Sequence, residues 1–123
     1  MFIGTDSPQL SPSIFQDALD VLTSNPDDCV CGPAKDGGFY LFASNKPISR
    51  DVWESVSYSQ STTLAELKEK SNRHFHDLAV EQDVDHKQDL YTLQKTLSEN
   101  KATLLPAQHK LLDWLNDYLD VAV

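Results

Sequence analysis

Apolar positions in this chain come in short bursts, some continuous and some spaced by three or four residues, and this alternation predicts strands and helices in turn. Met1-Phe2-Ile3-Gly4 is a continuous run closed by the polar turn Thr5-Asp6-Ser7-Pro8, which predicts a buried strand from the first residue. Ser11-Pro12 supplies a helix cap and a first-turn proline, after which Phe15, Ala18, Leu19 and Leu22 recur at helical spacing until Asn25-Pro26 stops the run. Cys29-Val30-Cys31-Gly32 predicts a second buried strand and Pro33 to Gly37 a loop. Phe39-Tyr40-Leu41-Phe42 then predicts a third strand, its aromatics suited to a pleated surface.

The second half of the chain reads as mostly helical. Val52, Trp53 and Val56 predict a short helical turn that plugs the core. Thr63 with Glu66 has capping-box spacing, so a helix is expected over residues 61–73; a short strand is expected within His74 to Val80. Asp85 with Gln88 repeats that spacing ahead of Leu90, Leu93 and Leu97, which predicts a helix over 86–99. After Pro106, a last helix carries Leu111, Leu112, Leu115, Tyr118 and Leu119 on one stripe. The expected fold class is therefore α/β, a layered mixed sheet with helices on its faces. The strand near 1–5 should run parallel to that near 28–32, and the strand near 38–43 opposite to both, because a helix separates the first pair and a tight loop the second.

Composition narrows the partners. Ten Lys and Arg against 19 Asp and Glu give a net charge of −9, which repels polyanions and argues against nucleic acid and anionic membranes. No stretch approaches the ~20 apolar residues of a membrane span, and the cytoplasm is the expected location. Cys29 and Cys31, two apart on a strand, share a face with parallel side chains, a poor geometry for a mutual disulfide. They read as reduced, buried small hydrophobes.

The glycines at 4, 32, 37 and 38 cannot compose a dinucleotide or phosphate-binding glycine loop, and no nucleophile elbow or zinc-protease helix motif is present. The acidic run from Asp83 lacks the glycine and closing Glu of a calcium loop. His74 and His76 would share one strand face, but no third ligand stands near them in sequence, so they read as solvent-exposed histidines. Three acidic clusters remain: Asp6 in Thr5-Asp6-Ser7-Pro8, Asp36 in Asp36-Gly37-Gly38, and Asp83-Val84-Asp85. Each has a structural explanation as a turn or helix cap. Carboxylates from separate loops that converge at one sheet edge also hold Mg²⁺ or Mn²⁺, and such an ion neutralises a diphosphate leaving group.

Three ordered motifs, Phe2-Ile3-Gly4-Thr5-Asp6-Ser7-Pro8-Gln9-Leu10, Gly32-Pro33-Ala34-Lys35-Asp36-Gly37-Gly38-Phe39-Tyr40-Leu41 and Asp83-Val84-Asp85 with Asp89-Leu90, give a resemblance over residues 2 to 97. The chain resembles the nucleotide-diphospho-sugar transferase-like proteins of the glycosyltransferase-A fold, a mostly bacterial family. It departs from them at Phe39, where tyrosine is usual, and at His86-Lys87, where Thr-Pro is usual. The resemblance implies that Asp6, with Asp83 or Asp85, is a metal or diphosphate ligand, and that Asp36, Gly37 and Gly38 form a substrate-binding loop. It also implies that the chain begins at the family's fourth strand, leaving residues 1–100 as the C-terminal half of such a domain and 101–123 as a helical extension packed on it or on a dimer partner.

Three functions follow. A half-domain of this kind would serve as a non-catalytic binding or assembly module. Alternatively, it would be a glycosyl- or nucleotidyltransferase whose nucleotide-sugar site is completed by another chain. The third reading is a small metal-binding or regulatory protein using Asp6, Asp36 and Asp85. A homodimer or a complementary subunit is the expected partner, since the strand at 2–5 would otherwise present an unpaired edge.

Overall fold

The structure is a computed structural model that describes residues 1–120. The chain falls into two compact units, one of Met1–Thr5 with Pro12–Asp83 and one of Asp6–Ser11 with the chain from Val84 onward.

The first unit is built on a four-stranded sheet of β1 (Phe2–Ile3), β2 (Cys29–Pro33), β3 (Phe39–Ser44) and β4 (Phe75–Asp77), in the order β1-β3-β2-β4. β3 is antiparallel to both β1 and β2, so β1 and β2 run parallel to each other as expected, while β4 joins β2 in parallel. Residues of β2 and β3 are almost all buried, which is why their apolar runs are continuous. α1 (Pro12–Ser24) packs on these two strands and buries Ala18 and Leu22. Leu19, expected on the same face, is half exposed. α2 (Arg50–Ser55) and α3 (Thr63–Ser71) cover a core of Cys29, Phe42, Ile48, Val56 and Leu67, against which Val52 and Trp53 of α2 pack as expected.

Two sequence expectations fail here for identifiable reasons. β1 is not buried: Phe2 and Ile3 are 65% and 53% exposed, because a two-residue edge strand meets only β3 on one side. Phe2 instead lies over Phe42 and edges Trp53, at ring centroid separations of 6.2 and 6.4 Å. The cap of α3 is Thr62, and Thr63 turns its hydroxyl inward to donate to the carbonyls of Ser57 and Gln60; Glu66 accepts from the Thr62 hydroxyl.

The second unit is a helical pair, α4 (Lys87–Glu99) and α5 (Pro106–Tyr118). The α4 cap sits one residue later than expected, at His86, whose amide donates to Asp89 Oδ2. Leu93 and Leu97 of α4 bury against Leu112, Leu115 and Leu119, and each such side chain contributes roughly 1.5–3 kcal/mol. The α5 stripe is thus satisfied within the chain. Tyr118 leaves it, standing 55% exposed and stacked on Trp114 at 4.9 Å.

No helix among the described residues is long and apolar enough to cross a membrane.

Candidate functional site

The parallel pair β2 and β4 points its carboxyl ends toward the loop Pro33 to Gly38, the position where ligands gather in open α/β sheets. That loop is shaped by its glycines. Gly37 has φ of +93°, and a Cβ there would come within 1.9 Å of the Ser61 carbonyl oxygen, so no other residue fits without displacing backbone. Asp36 Oδ1 accepts the Gly38 amide at 2.9 Å in an Asx turn, which fixes the carboxylate above the loop. The Gly37 carbonyl in turn accepts the Leu64 amide at 3.0 Å and ties the loop to the start of α3.

After β4 the chain runs back alongside this loop. Leu78 donates to the Cys31 carbonyl at 2.8 Å, Glu81 to that of Pro33 at 3.0 Å, and Lys35 to that of Glu81 at 2.9 Å. Tyr40, buried in β3, donates its hydroxyl to the Ala79 carbonyl at 2.7 Å. Burial, and then the nearby Glu81 charge, push its pKa up to about 12, so it stays a donor. Its ring occupies the space a Cβ at Gly32 would fill. The stitched segment ends at Asp83, and one carboxylate oxygen each of Asp36 and Asp83 lie within 4.8 Å.

Of the predicted site residues, the first unit therefore brings together Asp36 and Asp83 over the turn made by Gly37 and Gly38. Asp6 and Asp85 belong to the second unit. There the Asp6 carbonyl accepts the Val84 amide at 2.8 Å, and the Asp85 amide donates to Asp89 Oδ2 at 3.0 Å. The turn that carries Asp6 is held from far along the chain, since the buried Gln108 of α5 donates Nε2 to the carbonyls of Pro8 and Leu10 at 3.0 and 2.9 Å. Sequence reasoning missed Tyr40, Glu81 and Gln108. Only Gln108 carried a local signal, its capping-box spacing, and its Oε1 does accept the Leu105 amide.

A second cluster stands at the other end of the same two strands. His76 Nε2 lies 2.8 Å from Asp28 Oδ2, and the His74 and His76 rings meet edge to face at 4.9 Å. The two histidines are thus not simply solvated, as their sequence context suggested: His74 is exposed, but His76 and Asp28 are half-buried and paired. Between the clusters, both cysteines are free and fully buried, as expected, and Cys31 Sγ donates to Asp77 Oδ1 at 3.0 Å. Burial, reinforced by Asp77, pushes the Cys31 thiol well above its ordinary pKa and keeps it inert.

Residues 1–60 match the family described as "Uncharacterized protein conserved in bacteria" (DUF2064). No curated protein matches the chain. A crystal structure from Desulfovibrio desulfuricans G20, of a protein whose assignment as a nucleotide-diphospho-sugar transferase is itself provisional, matches with a TM-score of 0.75 and 26% identity. The match covers 95% of this chain and 51% of that one, so the chain spans about half the length of this relative. Sequence and structure converge, and they bear out the resemblance carried by the motifs: the chain is similar to the nucleotide-diphospho-sugar transferase-like family and shares its α/β fold.

Proposed function

We propose that this chain is a binding module of nucleotide-sugar type, in which Asp36 and Asp83 hold a hard divalent cation, Mg²⁺ or Mn²⁺, against a diphosphate, and that it is not by itself a catalyst. The observation that carries the proposal is the meeting of these two carboxylates, from separate segments, at the carboxyl ends of β2 and β4. The donor set fits such an ion: both groups are hard oxygen ligands, and one oxygen of Asp36 is already oriented by the Gly38 amide. A bound ion would supply charge neutralisation for the diphosphate. Asp36 and Asp83 position it, the Gly37-Gly38 turn allows close approach of the ligand to backbone, and Tyr40 with Glu81 anchors the segment that leads to Asp83. Lys35 is the sole base on the loop, too little positive charge to stabilise a departing diphosphate, which favours binding over transfer.

Calorimetry with uridine and guanosine diphosphosugars, with and without Mn²⁺, tests this. Binding that needs Mn²⁺ and weakens at least about tenfold in Asp36→Asn and Asp83→Asn is expected, and no Mn²⁺-dependent binding would overturn it. Sugar transfer on addition of a complementary subunit would replace it with the transferase reading. A homodimer or complementary subunit belongs to the same proposal, supported by the exposed apolar edge at Met1, Phe2 and Ile3. So does a cytoplasmic location, which the two reduced, buried thiols support.

A further inference from the structure

We propose that Asp28, His74 and His76 form a binding site for one borderline transition-metal ion of the Zn²⁺ class, separate from the carboxylate pair. Residues i and i+2 of a strand share a face, roughly 6.6 Å apart, which sets His74 and His76 side by side on the sheet edge at β4. β2 is the parallel neighbour, and its register pairs Cys29 with Phe75 and Val30 with His76; Asp28, immediately before Cys29, therefore falls beside His74. One ligand atom from each of the three residues lies within 4.8 Å of the others. A tetrahedral ion with bonds of about 2.0–2.1 Å holds its ligand atoms about 3.3 Å apart. Closing at most about 1.5 Å takes side-chain rotation only, and His74, being exposed, has room to turn.

Donor chemistry selects the ion. Imidazole with carboxylate suits Zn²⁺, Co²⁺ or Ni²⁺ and rejects Mg²⁺, which keeps its water and prefers oxygen. A metal on His76 Nε2 would replace the hydrogen bond to Asp28 Oδ2, with the single proton of the neutral imidazole carried on Nδ1. Neighbouring charges leave the site unblocked. Lys46 is paired with Asp27, and the Arg73 guanidinium is spent on the carbonyls of Lys46 and Asp27 and on the Ser44 hydroxyl. Three protein ligands leave a fourth position for water or for a donor from another molecule, the arrangement of an open rather than a sealed structural site.

Titration of the whole chain with Zn²⁺ against a chromophoric chelator, together with Co²⁺ absorption spectroscopy, reads this out. One equivalent is expected, with tetrahedral Co²⁺ bands, unaffected by excess Mg²⁺. Affinity should fall at least about tenfold in each of His74→Ala, His76→Gln and Asp28→Asn, while Asp36→Asn and Asp83→Asn bind as wild type. His74 is exposed, so its alanine variant tests the ligand without risk to the fold; circular dichroism confirms folding of the others. Binding weaker than about 100 μM in the wild type, or a tight equivalent retained when both histidines are replaced, would overturn the assignment.

Discussion

The two ends of the β2 and β4 pair carry different chemistry on the same backbone. At the carboxyl ends, a glycine turn and a returning segment bring Asp36 and Asp83 together, both hard oxygen donors. At the amino ends, register alone sets Asp28 beside two imidazoles. Backbone turns built the first cluster and strand pairing the second. One parallel pair can therefore present two ion preferences, with the buried thiols of Cys29 and Cys31 lying between and joining neither.

The two ends should part most clearly at Gly37. Gly37→Ala forces a Cβ into the Ser61 carbonyl at a positive φ and should cost about 2–4 kcal/mol, abolishing Mn²⁺ binding. If the two ends are independent, any protein that stays folded keeps its Zn²⁺ affinity. Zn²⁺ at one hundred times its Kd should raise stability by about 2.7 kcal/mol, seen as a higher Tm in the wild type and not in His74→Ala. An equal rise in both would place the ion elsewhere.

Asp77, opposite Cys31 between the two clusters, should have a smaller effect. Burial opposes its charge, but the Cys31 hydrogen bond and the Lys68 ion pair outweigh this and hold its carboxyl below the usual range. A depressed folded pKa gives stability that is present above the unfolded value of about 3.9 and lost as pH falls through the folded one. Urea unfolding should therefore show the wild type weakening faster than Asp77→Asn between about pH 4 and pH 2. At pH 7 that variant should lose only about 1 kcal/mol. The smallest change in stability, within about 1 kcal/mol, is expected for Phe2→Asp at the opposite sheet edge. It should nonetheless dissociate a wild-type dimer in sedimentation equilibrium; a clean 13.8 kDa wild-type species would refute association through this edge.

Legibility followed the same division. The strands, the helices and the relative directions of β1, β2 and β3 could be read because their apolar periods and turn residues are local. Asp36-Gly37-Gly38 stood out for the same reason, since a turn demanding positive φ writes itself as glycine. Asp28 did not, because 46 positions separate it from His74 and only the pairing of β2 with β4 joins them. Burial at β1 was misjudged because a continuous apolar run reports what a strand can bury and not whether a second neighbour covers it. The shifted caps at Thr62 and His86 are one-residue errors, within the tolerance of any spacing rule.

The Gln108 latch bears on the order in which the chain can fold. The turn Asp6–Ser11 precedes α5 by most of the chain's described length, and its carbonyls at Pro8 and Leu10 find their donor 100 and 98 residues later. Closing a loop of that size is entropically slow next to forming the local β2 and β3 hairpin, so the hairpin is the natural nucleus. During synthesis the Pro8 and Leu10 carbonyls therefore gain this side-chain donor only after β2, β3 and β4 have been made and α5 has followed them.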